Sequence, residues 1–364
     1  MRKSFDEVFE DRTKYGTKIK TDDYKPYGKH CIVDQGQAQI AGYTDLEIGV
    51  FEEVPAIIFG DHTRVIKYID ESFFLGADGV KVLRSKYQDA NYKYLYYALK
   101  NAKIPNTGYN RHFKWLKEVV IEYPEVDRQA EIVGILDGVS TVISARQQEL
   151  QKLDELIKAR FVEMFGDENN PMDWPTVNVE DVADVQVGVV IKPAQYYTDS
   201  QRGVKAFRSL NIGPMYIKDA DWVYFSEEGN LKNQKSILRE NDLLIVRSGA
   251  PGTACVVTSE YAGCNAVDII IAHPNLTKVN AYYLAQYTNL PHGKQQIDEG
   301  TGGAAQQHFN VGKYNKLQLM LPPLNKQNEF EQFLKQLDKS KVVVQKALDK
   351  AQTLFDSLMQ QYFG

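Results

Sequence analysis

Twice along this chain, apolar residues recur at alternating steps of three and four through about 40 residues that contain no proline. In the first stretch one heptad position holds Leu136, Ile143, Leu150, Ile157 and Met164, and the other holds Ile132, Val139, Arg146, Leu153 and Arg160. In the second, the matching positions are Leu334, Lys341, Leu348, Phe355 and Tyr362, then Phe330, Leu337, Val344, Ala351 and Leu358. Such a stripe predicts a long helix that seeks a partner helix. About 40 residues at 1.5 Å each make roughly 60 Å, which suits a spacer or a helix seam better than a core element.

The two stretches share one frame. Residues 119–166 overlay residues 317–364 without a gap at a constant offset of 198, with ten identities in 48 positions that include Pro124/Pro322, Gln129/Gln327, Glu131/Glu329, Phe165/Phe363 and Gly166/Gly364. Where one seam carries a charge the other is apolar: Arg146 matches Val344, Arg160 matches Leu358, and Lys341 matches Ile143. Two unrelated amphipathic helices would not share this frame. The pattern fits diverged copies packed through Leu136, Val139, Ile143, Leu150, Leu153 and Ile157 of the first and Leu334, Leu337, Val344, Leu348, Phe355 and Leu358 of the second.

Strand-like "EVVIEYPE" and "KLQLMLPPL" precede the helices, each ended by proline. Further back, "NYKYLYYAL" matches "NAYYLAQYT", and "AIIFGDHTRVIKY" matches "LLIVRSGAPGTACVV", an apolar strand, a polar turn and a second strand. The expected layout is a mixed α/β block over 1–124, a helix over 125–166, a second block over 167–321 and a second helix over 322–364. Trp174-Pro175 opens the second block after the polar linker "GDENNPMD"; the first block has no equivalent tryptophan.

At 364 residues, 43% hydrophobic and 25% charged, the chain has core material for two or three domains, which excludes disordered and fibrous classes. No apolar run approaches the roughly 20 residues of a membrane span and "MRKSFDEVFEDR" has no signal-like region, so no membrane association and a cytoplasmic location are expected. Cys31, Cys255 and Cys264 form no C-x-x-C pair and read as buried free thiols. Net charge is −5; residues 1–124 carry 19 Lys and Arg against 18 Asp and Glu, and residues 167–321 carry 13 against 17. Neither block is basic, so contact with nucleic acid would run through local patches and a more basic partner.

Catalytic signatures are missing. The sequence has no phosphate-binding G-x-x-x-x-G-K-[ST] and no strand-borne G-x-G-x-x-G. It also lacks a G-x-S-x-G elbow, grouped histidine ligands and an Asn/Asp-Pro-Pro-aromatic loop of amino methyltransferases. What the blocks do carry is polar loops. The first offers Gln35, Gln37, Gln39 and Tyr43, then His62, Thr63 and Arg64, then Tyr109, Asn110, Arg111, His112 and Lys114. The second offers Lys192, then Arg208, Ser209 and Asn211, then Lys232, Asn233 and Lys235, then Arg247, Ser248 and Thr253, and finally Gln306, Gln307 and His308. Arg, Asn and Gln match base edges, whereas Lys, Ser and Thr suit phosphates. Singly each loop reads as an ordinary solvated turn; recurrence at related places in both blocks favours contact surfaces.

Block, Pro…Gln-x-Glu helix ending in Phe-Gly, second block and second such helix, together with "IIFGDHTRVIKY…GADGVKVL" and "FRSLNI…LRENDLLIVRSG", resemble the specificity subunit of type I restriction-modification enzymes. The resemblance covers essentially the whole chain. It implies two target recognition domains, each reading half of a split double-stranded DNA target, held apart by two antiparallel coiled-coil helices. It further implies two modification subunits carrying S-adenosylmethionine that methylate adenine, restriction subunits using ATP and magnesium, no cofactor or metal in this chain, and a prokaryotic cytoplasm. The competing reading is a coiled-coil adaptor whose blocks bind proteins; a self-contained nuclease would need a carboxylate–metal site that the sequence does not show.

Overall fold

The computed structural model describes residues 1–76, 78–167, 169–199, 202–301 and 309–364, the side chains of 300 and 301 excepted. Two compact units emerge, one of residues 1–148 with 344–364, the other of 149–343. The linear sequence thus contributes two separate pieces to the first.

In the first unit β1 (Arg2–Ser4) runs into the short α1 (Phe5–Val8) and β2 (Phe9–Asp11), followed by β3 (His30–Val33), β4 (Gly42–Thr44), β5 (Ala56–Gly60), β6 (Ile66–Ile69), β7 (Phe73–Leu75) and β8 (Val80–Ser85). Then come α2 (Tyr92–Lys100), α3 (Phe113–Leu116), β9 (Val120–Glu122) and the first part of the 40-residue α4 (Val126–Phe165). One antiparallel sheet has the order β2-β8-β5-β6; a second has β4-β3-β7, with β3 antiparallel to β4 and parallel to β7; β1 pairs with β9.

The second unit contains β10 (Thr176–Asn178), β11 (Ala183–Val187), β12 (Tyr197–Thr198), β13 (Val204–Phe207), β14 (Ile212–Gly213), β15 (Tyr216–Ile217) and β16 (Val223–Phe225). After α5 (Glu227–Lys232) follow β17 (Leu243–Ile245), β18 (Ala254–Val256), β19 (Asn265–Ala266) and β20 (Ile270–Pro274). The helices α6 (Ala281–Asn289), α7 (Pro291–Thr301) and α8 (Val311–Asn315), the strand β21 (Gln318–Met320) and the first part of α9 (Leu324–Phe363) complete it. Its sheets repeat the first unit's: β11-β20-β17-β18, then β16-β13-β19 with the same parallel and antiparallel pairs and β12 added at the edge, and β10 with β21.

The local chemistry repeats as well. Asn91 caps α2 and Asn280 caps α6, each side chain accepting first-turn N–H groups. One turn in, the buried hydroxyls of Tyr94 and Tyr283 donate to Glu122 O (2.7 Å) and Met320 O (2.8 Å), tying helix to terminal strand. Fully buried Gln129 and Gln327 donate to Pro124 O (2.8 Å) and Pro322 O (2.7 Å). The long helices begin and end at the same offset of 198. Gly166, at φ +89°, closes α4 in the left-handed region where a side chain would be strained.

Within each unit the beginning of one long helix lies beside the end of the other, so the pair is antiparallel. In the first, Ile132, Val133 and Leu136 share a core with Phe355, Met359 and the sheet residues Ile57, Phe59 and Leu83. In the second, Ile157, Phe161 and Phe165 join Phe330, Leu334 and Tyr283. Beyond the spacer or seam role that suits their length, the helix ends are also core elements, because a stripe wide enough to include Phe161 and Met359 buries against sheet and helix together. The seam charges meet acids, Arg160 with Glu329 (3.3 Å) and Lys341 with Asp154 (2.5 Å).

Candidate nucleic-acid interface

The sheet order sends matching segments of each unit to related positions: after β3, after β5, before β8 and before α3 in the first; after β13, after β17, before β20 and, of the described residues, Phe309 and Asn310 before α8 in the second. In the first unit these loops are locked together. Asp61, buried at 5% exposure, accepts the Phe113 N–H at Oδ1 (2.7 Å), while its carbonyl accepts from His112 N (2.8 Å) and faces His112 Nδ1 (2.9 Å). His112 is wholly buried and acts as a brace. Gln35 bridges two loops, donating to Asp78 O (3.0 Å) and accepting from His62 N (3.2 Å). A side chain at Gly79 would strike that amide, since its Cβ would stand 2.7 Å from Gln35 Oε1.

Lys67 fixes the loop after β3. Its side chain is 2% exposed, and its ammonium donates to the carbonyls of Asp34 (2.8 Å) and Ala38 (2.5 Å) and lies 3.6 Å from the Asp34 carboxylate. Burial draws it below the ordinary lysine range, with Asp34 opposing. Gln39 donates to Tyr68 O (2.6 Å), Thr63 to Gln35 O (2.6 Å), and Arg64 to Ile104 O (3.3 Å). Gln37, Gln39, Thr63, Arg64, Lys67 and Lys100 line one open groove of about 510 Å³. Gln37 is exposed and its side-chain amide makes no hydrogen bond to the described residues. Tyr43 is half-buried on β4, Asn110 donates to Thr107 O (2.5 Å), and Lys114 lies 4.2 Å over Trp115. Arg111 is exposed, and Tyr109 stacks on His62.

The second unit uses other residues at these places. Arg247 Nε donates to Phe309 O (3.2 Å) and its guanidinium pairs with Asp268, while Phe309 N donates to Arg247 O (3.2 Å). Arg208 donates to Asp221 O, and wholly buried Asn211 caps the Arg208 N–H (2.9 Å) and donates to Ala220 O (2.7 Å). Lys232 pairs with Glu228 (2.6 Å) and Asn233 donates to Gly229 O (2.7 Å). Lys192, in the left-handed region, and Lys235 are exposed; Ser209, Ser248 and Thr253 are half-buried. Gln306, Gln307 and His308 lie outside the described residues.

The candidates therefore divide into those with outward donors, led by Gln37, Arg111, Lys192 and Lys235, and those that hold loops in shape, led by Gln35, His112 and Asn211. Sequence reasoning missed Asp61, Lys67 and Asp268; only a lysine inside the alternating strand "IKYI" hinted at one of them. The three cysteines are buried and free, and burial raises their thiols, Cys31 and Cys264 to about 11 and Cys255 to about 12. Among the described residues no group of His, Cys, Asp or Glu could hold a metal, and no helix is long and apolar enough to cross a membrane.

A family model described as "Type I restriction modification DNA specificity domain" matches residues 2–155 and 171–351. The type I restriction enzyme EcoR124I/EcoR124II specificity subunit of Escherichia coli is 25% identical over 182 residues, 46% of this chain and 45% of that protein, so the match spans less than half of either. A crystal structure of a type I restriction-modification S subunit from M. genitalium shares the fold at a TM-score of 0.60, with 16% identity and coverage of 100% of this chain and 96% of that one. A chain from a structural study of type I R-M complex assembly matches at 0.57, with 15% identity and coverage of 100% and 97%.

Proposed function

Because the chain belongs to the type I restriction-modification DNA specificity family, we propose that it is the subunit through which such a system recognises a bipartite double-stranded DNA target. Each unit reads one half-site, and the length of the paired helices sets the unspecified spacer. Two modification subunits dock on the chain and methylate an adenine in each half-site; restriction subunits supply ATP-driven translocation and cleavage. The chain itself contributes recognition and no catalytic group.

One observation carries this reading: the same sheet order occurs twice in one chain, and the loops at matching places differ almost completely in side chains. Loops vary more than the strands they join in any fold, and binding residues are carried disproportionately on such loops over a rigid scaffold, as two readers of unlike half-sites require. The test is to exchange residues 1–124 for the block of another family member and map methylation of the reconstituted complex by single-molecule sequencing. One half-site changes and the other stays. A change in both, or in neither, refutes independent readers.

A further inference from the structure

Tyr109 is placed unlike any other aromatic residue of the first unit's loops. The residue is 88% exposed, yet its ring lies parallel to the His62 imidazole, centroids 4.7 Å apart and planes 8° from each other. His62 is itself held, its Nδ1 3.2 Å from Asn110 O and its N–H on Gln35. The loop is pinned beyond it by the buried His112 and before it by Asn110 on Thr107. A large apolar ring is thus oriented by its neighbours while one whole face is left to solvent. Arg111, exposed two residues on, stands ready for a phosphate.

We propose that Tyr109, backed by His62, is a stacking platform for one target nucleobase displaced from the duplex stack. The inference rests on the DNA-recognition reading above. Any base offers a flat face, so the platform adds affinity without a donor–acceptor code. A wedge pushed between two stacked base pairs needs both ring faces, and His62 already covers one of Tyr109's; a single open face fits one displaced base. Within the reader loop this residue therefore senses how easily a step opens, while Gln37 and Arg111 meet edges and backbone.

The test uses the full chain assembled with its modification subunits on its mapped target. Tyr109→Ala weakens binding about 5- to 150-fold, the range of one base–aromatic stack. Tyr109→Phe binds as the parent does. The slope of affinity against salt stays unchanged in Tyr109→Ala, because no phosphate contact is lost, whereas Arg111→Ala lowers it by about one. Abasic substitutions scanned through the first half-site find one position whose loss costs the parent protein but adds nothing to Tyr109→Ala. A mismatch opposite that base tightens binding, since displacement then breaks a weaker pair. The proposal is overturned if Tyr109→Ala binds like the parent, if its loss adds to every abasic substitution, or if the mismatch has no effect. Absence of selective binding by the parent complex would instead defeat the recognition reading.

Discussion

The first unit holds its loops with a buried carboxylate and imidazole, and the second holds the matching loops with an ion pair. Asp61 and Arg247 stand at the same place, just after the first strand of the central hairpin, and both use the backbone carbonyl to catch the segment before the small helix: Asp61 O accepts from His112 N, Arg247 O from Phe309 N. The backbone bond is the part that topology demands. The side chain is free to differ, and it does so in sign, in burial and in the partner it takes. Whatever is shared between the units belongs to the fold; whatever differs is free of that constraint.

The largest effect should come from the shared part. Phe161 is fully buried among Phe165, Tyr283, Tyr287, His292 and Phe330, and it brings α4 into the second unit's core. Phe161→Ala should cost about 3–5 kcal/mol, and Leu136→Ala about 2–5 kcal/mol in the first unit. Hydrogen exchange read separately on α6 and α2 should show each substitution weakening its own unit. Equal weakening of both by either change would mean that the chain unfolds as a single cooperative body.

The helices and the hairpins were legible in the sequence because burial dictates their residues position by position. Both heptad stretches form 40-residue helices, each after its proline exit, and the 198-residue offset holds at both ends. Phe161 and Met359 lie outside the strict heptad and escaped notice, since a seam calculated for two helices ignores the sheet that widens it. The loops were legible only as loops. His112, Asn211 and Gln35 have the same side chains as base readers, and nothing in their spacing tells that they face inward; this depends on which distant backbone groups the fold leaves unpaired. Asp61 and Lys67 were invisible for the same reason.

A middle-sized contrast follows from the two locks. Asp61→Ala strands the partly buried Phe113 N–H and should cost about 1–3 kcal/mol. Arg247→Met leaves Asp268, half exposed, to water and should cost at most about 1 kcal/mol. Chemical denaturation at low and high salt separates them: the Arg247 effect shrinks with salt and the Asp61 effect does not. If both were salt-independent and equal, the sign and burial of the lock would have no energetic meaning.

The smallest effect is a difference in acid sensitivity. In the first unit Asp11 is held below the ordinary carboxylate range; burial works against this, but hydrogen bonds from Thr13 and Lys81 outweigh it. Lys25 lowers Asp45 and Lys18 lowers Asp78 in the same way, both at the open surface. In the second unit Lys205 lowers Asp219 and Lys232 lowers Glu228. A carboxyl with a depressed folded pKa stabilises fully above its unfolded value, near 4, and that contribution is lost as pH falls through the folded value. These pairs therefore contribute no change between pH 7 and about 5, and their loss begins below about 4. Asp11 is the one partly buried member of the set, so the first unit should lose slightly more, and Asp11→Asn should erase that excess while leaving the second unit's acid profile untouched. Exchange rates of β5 and β17 amides, corrected for intrinsic pH dependence, measure the difference. A second unit that weakened first would place the acid-labile contacts outside these pairs.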